Sequence, residues 1–166
     1  MRVETARLLS MVAATITTGL VSGLFYAFAV SVMPGLARTG DGTVIEVMRR
    51  INVAILNGWF VLGYVGAPLF TALAVGLHVG EGWRGPLGPL VGALVCYVAA
   101  MVVTGRVNIA LNNALERAGA GGPVADPAAV RRAFEGPWVR ANVWRTVLCT
   151  VALGLLAWAL ALHQVG

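Results

Sequence analysis

Charge is scarce in this chain: only 11% of its 166 residues are charged, and all twelve basic residues are arginine, with no lysine. A soluble domain keeps roughly 25–35% of its surface residues charged, so the composition excludes an ordinary soluble protein. Histidine occurs twice, and no cluster of His, Cys and carboxylates has metal-ligand spacing. No Gly-rich phosphate-binding turn follows a strand either. We therefore expect no metal and no cofactor.

Other classes are excluded in the same way. Cys96 and Cys149 both fall inside apolar segments, which argues against a disulfide framework. There is no Ser-His-Asp set, and no carboxylate lies within an apolar run, so proton-coupled transport is disfavoured. The net charge of +5 lies beside apolar runs, where arginine sets membrane topology, and we expect no nucleic-acid partner.

What the chain does have is four long apolar runs, each able to cross a hydrocarbon layer of ~30 Å as a helix. The predicted fold is all-α: a four-helix transmembrane bundle forming a single integral membrane domain, residues 1–166. The predicted spans cover about residues 7–33, 58–79, 87–107 and 142–163. The first run is too long for the apolar part of a signal peptide, so we retain it as a span.

Between the first two spans, the sequence predicts a short amphipathic helix at the membrane interface. Pro34-Gly35 is expected to end the first span. Thr43 and Glu46 have the spacing of a capping box, and the helix that they open is expected to merge into the second span.

The third span lacks a stop signal where the membrane should end. Its helical pattern continues to Gly119, a suitable residue for a helix C-terminus, which predicts an extended third helix. Asp126-Pro127 is expected to start a short polar helix, ended by Gly136-Pro137 before the fourth span.

Arginine is unevenly distributed. Nine arginines lie on the side with the loops that join spans one to two and three to four, and three lie on the opposite side. The positive-inside rule then places both termini on the extracytoplasmic side. The arginine-only composition, rich in Ala, Gly and Val, is typical of a GC-rich bacterial genome, so we expect a bacterial cell membrane.

Three polar stripes are predicted at the arginine-rich interface. The first, on the third helix, comprises Thr104, Asn108 and Asn112. The second, at the start of span four, comprises Trp138, Asn142, Arg145 and Cys149. The third, on the amphipathic helix, comprises Arg49 and Asn52. Because lipid cannot satisfy polar side chains, we expect the stripes to line a cavity inside the bundle.

A purely structural alternative stays open. Asn and Thr side chains often hydrogen-bond between membrane helices without binding any ligand. Under this alternative, Arg145 snorkels to the interface or pairs with Glu46 or Glu116. The aromatic cluster of the first span, Phe25, Tyr26 and Phe28, is then core packing.

Three segments together resemble the anthrone oxygenase-like family of small four-span membrane proteins. They are residues 23–28 (GLFYAF) continuing to the Met-Pro pair at 33–34, residues 48–52 (MRRIN) with Asn57 and Phe60, and residues 108–115 (NIALNNAL) paired with Trp138, Asn142, Arg145 and Thr146. Two positions depart from the family pattern. Ala110 stands where proline is common, and Val143 stands where histidine often follows the final asparagine.

The resemblance implies oxidation of an anthrone methylene to a quinone by O₂, without flavin or metal. The implied catalytic residues are Arg145, which would stabilise the substrate anion, and Asn108, Asn112 and Asn142, which would orient its oxygens. The implied substrate-binding residues are Asn52, Arg49, Trp138, Phe25, Phe28, Tyr26 and Thr104. The proton acceptor is unassigned, with Glu46, Glu116 and Tyr26 as candidates.

Two other functions remain open from the sequence. One is a membrane cyclase or isomerase that acts on a lipophilic substrate without O₂. The other is a non-catalytic small-molecule-binding or scaffold protein. The expected partners are a lipophilic small molecule, O₂ and membrane lipid, and a homo-oligomer is left open.

Overall fold

The computed structural model describes residues 2–81 and 85–165, and this part of the chain is helical without strands. Its helices are α1 Arg2–Leu36, α2 Asp41–Ala54, α3 Gly58–His78, α4 Leu87–Gly119 and α5 Pro127–Val165. All except α2 are long and apolar enough to cross a membrane. The predicted all-α bundle, with its short amphipathic helix and extended third helix, is confirmed.

Small side chains hold the long helices together. Helix α1 packs against α3 and α5, and α4 packs against α5 and α3. The buried core shared by these helices includes Ala14, Ala67, Ala74, Ala93, Ala152 and Ala159. Small residues at such contacts let membrane helices approach closely, which strengthens their van der Waals packing.

A second apolar cluster lies at the arginine-rich end, where α2 covers the bundle. Its buried residues include Val44, Ile45 and Met48 of α2, Leu115 of α4, and Phe134 and Trp138 of α5. The apolar face of α2 therefore points into the protein, and its charged face points outward, as predicted for an amphipathic helix.

The predicted capping box of α2 is wrong. The helix begins at Asp41, two residues before Thr43, and Gly40 precedes it in an extended conformation without a side-chain cap. The two acidic side chains have other partners. Asp41 accepts a hydrogen bond from Arg131 of α5, and Glu46 accepts from Arg50 one turn further along α2.

Helix α2 does not merge into α3, contrary to expectation. The chain leaves the helix at residues 55–57, and the Asn57 side chain caps α3 by accepting hydrogen bonds from the backbone N–H groups of Trp59 and Phe60, at 3.0 and 3.1 Å. An asparagine at this position satisfies backbone donors that a helix start leaves unpaired.

Neither predicted proline stop ends a helix. A π turn, Phe28–Val32, comes just before Pro34, and its wider backbone accommodates a ring that would clash in a regular α-helix. Helix α1 therefore continues to Leu36. Helix α5 likewise runs through Pro137, and Phe134 and Trp138 on either side of it pack in the same cluster, with ring centroids 6.1 Å apart.

Candidate functional site

A cavity of about 480 Å³ lies beneath α2, between the arginine-rich end of the bundle and its apolar core. Its apolar wall includes Leu24, Phe25, Phe28, Met48, Ile51, Phe60 and Trp138. Its polar lining residues are Asn52, Tyr64, Thr104, Asn108, Asn112, Asn113, Glu116, Asn142 and Arg145. Sites for small molecules commonly occupy ~300–1,000 Å³ and combine an apolar wall with a few polar groups. The cavity meets both conditions.

Two π turns shape this cavity. One is Phe28–Val32 in α1 and the other is Thr104–Asn108 in α4. A π turn accommodates one more residue than an α turn, so it changes the direction of the side chains that follow. The first residue of one turn, Phe28, and the last residue of the other, Asn108, both line the cavity. Such turns are frequent at functional sites.

Arg145 is buried, with a relative exposure of 6%. Its Nη2 donates to Asn142 Oδ1 at 2.8 Å. Its Cζ atom lies 4.2 Å from the centroid of the Phe25 ring and 5.3 Å from that of Trp138, distances at which a cation is attracted to an aromatic face. Among the described residues, no acidic side chain pairs with Arg145, and its Nε has no hydrogen-bond partner. The alternatives of snorkelling and of pairing with Glu46 or Glu116 are therefore wrong.

The asparagines of the cavity have different surroundings. Asn142 donates from Nδ2 to the Phe25 carbonyl at 3.0 Å and accepts from Arg145, so it holds the guanidinium in place. Asn112 Oδ1 accepts from Trp138 Nε1 at 2.9 Å. Asn108 Nδ2 reaches the Trp138 carbonyl only at 3.4 Å, and its buried Oδ1 has no partner among the described residues. A buried polar atom without a partner is unusual in a folded protein and requires an explanation.

All but two of the residues predicted for catalysis or substrate binding line this one cavity. The exceptions are Arg49, which lies outside the lining, and Tyr26, which is exposed on the surface of α1. Tyr64 and Asn113 line the cavity but were not predicted. The sequence offers no signal that separates Tyr64 from core packing. A regular helical period turns Asn113 away from Thr104 and Asn108, and the π turn between residues 104 and 108 brings it to the cavity.

Arg49 of α2 forms a two-pronged ion pair with Glu116 of α4: its Nε and Nη2 donate to the two carboxylate oxygens at 3.0 and 2.6 Å. The guanidinium lies directly over Gly119, where a Cβ atom would come within 2.6 Å of Arg49 Cζ. The hydrogen bond from Arg49 to Glu116 raises the pKa of Arg49, so this arginine stays charged. The ion pair fixes α2 to α4 at the edge of the cavity.

The two departures from the family pattern lie outside the cavity. Val143 has a relative exposure of 46%, and it does not line the cavity. Ala110 is exposed on the surface of α4. A histidine at position 143 would therefore project from the outer surface of α5 and not toward Arg145.

The candidate proton acceptors are unequally placed. Glu116 borders the cavity but is bound to Arg49, whereas Glu46 and Tyr26 do not line it. Within residues 2–81 and 85–165, no group of three or more His, Cys, Asp and Glu residues could hold a metal ion.

Comparison with protein-family models finds a match to the anthrone oxygenase family over residues 57–155, more than half of the chain. The matched region includes α3, most of α5 and the whole of α4, and hence Thr104, Asn108, Asn142 and Arg145. No curated protein and no solved structure matches the chain.

Proposed function

We propose, from the premise that this chain belongs to the anthrone oxygenase family, that it oxidises an anthrone-type aromatic with O₂ inside the cavity. The observation that most supports this proposal is Arg145, a buried cation in an apolar wall without a carboxylate partner among the described residues. Burying a charge is costly unless an opposite charge accompanies it. An anionic oxygen of the ligand would supply that charge.

The reaction requires no redox centre from the protein. Loss of a methylene proton converts an anthrone to an electron-rich enolate, whose negative charge resides on the ring oxygen. The enolate reduces O₂ and forms a C–O bond at the former methylene carbon, and protonation gives a hydroperoxide. Loss of water from the hydroperoxide then leaves the second carbonyl of the quinone. One O₂ is consumed and one H₂O is released per substrate.

Arg145 acts on the first step. A positive charge beside the ring oxygen favours the enolate over the neutral ketone, and donors placed in advance at a developing oxyanion are often the largest contribution to catalysis. This stabilisation makes the methylene more acidic, so the proton acceptor need not be a strong base. Asn142 positions the guanidinium through the 2.8 Å hydrogen bond.

The remaining groups hold the substrate. Phe25, Phe28 and Trp138 provide apolar surface for an aromatic ring system, with the Phe28 and Trp138 ring centroids 5.6 Å apart. Asn108 and Asn112 supply amide groups from α4, and the unpartnered Oδ1 of Asn108 is suited to accept a hydrogen bond from a substituent of the substrate.

We also propose that the cavity lies near the cytoplasmic face of a bacterial cell membrane, with both termini on the extracytoplasmic side. The four apolar helices fit a multi-pass membrane protein. Arginines cluster beside the cavity, at the end that carries Arg49, Arg50 and Arg131, and cytoplasmic ends of membrane proteins are enriched in arginine.

A second candidate is a protein that binds an aromatic anion without oxidising it. It is favoured by one observation: the carboxylate that borders the cavity, Glu116, is already bound to Arg49. A cyclase or isomerase would use the same cavity, and neither alternative consumes O₂.

The test is O₂ uptake by the purified protein in detergent with anthrone as substrate, against a control without protein. With ¹⁸O₂, the proposal expects uptake above autoxidation, one O₂ per quinone, and one labelled carbonyl oxygen. Conversion or binding of the aromatic with no O₂ uptake above the control would reject the oxygenase in favour of the alternatives.

A further inference from the structure

The cavity has an apolar opening on the outer surface of the bundle. Three of its lining residues, Leu56, Val61 and Ile109, are also exposed to the outside, with relative exposures of 76%, 49% and 48%. Leu56 belongs to the break between α2 and α3, Val61 to the first turn of α3, and Ile109 to the turn of α4 that follows Asn108. We refer to these three residues as the lateral mouth.

The lateral mouth lies beside the start of a membrane-spanning helix. Helix α3 begins at Gly58, and the neighbouring Trp59 is 85% exposed. Exposed tryptophans of membrane proteins concentrate at the boundary between hydrocarbon and headgroups. The opening therefore faces the hydrocarbon just beneath the headgroups, where exposed apolar side chains contact lipid.

On the side of the cavity that faces water, charged side chains replace the apolar residues of the lateral mouth. A larger groove of about 880 Å³ lies between α2 and the segment that precedes α5, and it is lined by Arg49, Arg50 and Glu46. The groove and the cavity share Val53 and Glu116 as lining residues. The Arg49–Glu116 ion pair lies where the two spaces meet and therefore stands on the route from the groove to the cavity.

We propose that the cavity takes its ligand sideways from the bilayer through the lateral mouth, and that the Arg49–Glu116 ion pair closes the route from water. The ligand is a neutral, lipid-dissolved aromatic molecule. This inference rests on the proposed function for the ligand class, and it adds the path by which the ligand reaches Arg145.

Physical chemistry favours the lateral route. A neutral polycyclic aromatic is concentrated in the hydrocarbon because removing its surface from water is favourable. Through the lateral mouth, it passes only apolar side chains and never leaves an apolar environment. The ligand becomes anionic only after it reaches the guanidinium. An anion formed earlier would have to cross the apolar mouth without a counter-charge.

The test measures binding kinetics of anthraquinone, which is not oxidised further, to the full chain in lipid nanodiscs. Quenching of tryptophan fluorescence reports binding in a stopped-flow experiment. The double variant Val61→Phe/Ile109→Phe narrows the mouth. Leu62→Phe is the matched control, because Leu62 is equally exposed on α3 and does not line the cavity. Arg49→Met removes the closure on the water side.

The proposal expects the double variant to slow association and dissociation together by about tenfold, a barrier higher by about 1.4 kcal/mol, with little change in Kd. Leu62→Phe should leave both rates as in the wild type, and Arg49→Met, which opens the route from water, should restore part of the lost rates when it is added to the double variant. Unchanged rates in the double variant would overturn the lateral route, and rates that Arg49→Met fails to restore would overturn closure by the ion pair, while the binding site stands in both cases. Absence of anthraquinone binding to the wild type would overturn both this route and the proposed function.

Discussion

Replacing Arg145 with methionine should remove nearly all activity while changing the stability of the bundle only slightly. Methionine keeps a long, flexible apolar side chain but removes the charge and the donors. The expectation separates two roles that a buried arginine can have, because a structural arginine and a catalytic arginine respond differently to the same substitution.

The contacts of Arg145 determine the expected magnitude. The hydrogen bond to Asn142 involves a charged group, which is worth about 1.5–3 kcal/mol. The positions over Phe25 and Trp138 are worth up to about 2 kcal/mol each when removed from water. Desolvation of the buried cation opposes these stabilising contributions. It costs several kcal/mol even after the surrounding protein has relaxed. The terms nearly cancel, so we expect a change of about 1 kcal/mol or less, or about 2–4 °C in melting temperature.

The loss of turnover is not offset by any opposing contribution of this kind. Loss of one donor at a developing oxyanion typically lowers the turnover rate by about 10²–10³-fold. Arg140→Met is the matched control, because Arg140 lies on the same helix but is exposed and does not line the cavity. It should retain the wild-type rate.

Two assays are needed, one for turnover and one for stability. Turnover is followed as O₂ uptake with anthrone. Melting is followed with a thiol-reactive dye in a Cys96→Ala background, where the fully buried Cys149 reacts only after the bundle opens. If Arg145→Met lowered the melting temperature by more than about 10 °C, the arginine would be a structural element and the catalytic argument would fail.

Three further predictions concern positions around the site. Val143→His should leave O₂ uptake unchanged because the side chain at this position is directed outward; a large gain in rate would contradict the placement of this face of α5. Gly119→Ala should displace Arg49, because the Cζ atom of Arg49 lies 2.6 Å from the added Cβ. The loosened contact should speed amide hydrogen exchange in the second half of α2. Gly121→Ala is the control, because open space surrounds this position, and it should leave the exchange rates unchanged. Asn57→Ala should destabilise the start of α3 by about 1 kcal/mol, which would be measured as a lower melting temperature. Asn57→Asp should restore most of this stability, because aspartate can cap the helix in the same way. Equal melting temperatures for the wild type and both variants would show that the cap is dispensable.

The bundle and much of the cavity could be predicted from the sequence because both depend on simple spacing. Apolar runs of membrane length give the spans. Asn108 and Asn112, four residues apart, must share a face of one helix, and so must Asn142 and Arg145, three apart. Polar faces inside a membrane turn toward each other, which brought residues of α4 and α5 to the same cavity.

The predictions of helix ends failed where contacts between helices override the local sequence signal. The spacing of Thr43 and Glu46 fits a capping box, but α2 begins two residues earlier, at Asp41, and Glu46 binds Arg50 and not the backbone at the helix start. Pro137 carries a helix-breaking signal, yet α5 continues through it with Phe134 and Trp138 buried in one cluster. Asn57-Gly58 was a readable turn signal that the apolar residues around it obscured.

The π turns have no sequence signature, and for that reason Asn113 could not be identified as a lining residue from helical spacing. The Arg49–Glu116 ion pair was equally out of reach, because 67 residues separate its partners along the chain. A pairing over that distance depends on how two helices come together, which spacing within one helix does not reveal.

The π turn at Thr104–Asn108 also affects how this chain should be aligned with others. Removing one residue from it would restore an ordinary α turn and leave the rest of α4, with Asn112 and Glu116, facing the cavity as before, because the wider turn accommodates the extra residue locally. In an alignment, such a change is a single-residue gap in the middle of a membrane helix, which would usually be dismissed as an error. At this position, a gap would instead keep the cavity-lining residues of α4 aligned, whereas an alignment without it would pair each of them with a residue about 100° away around the helix.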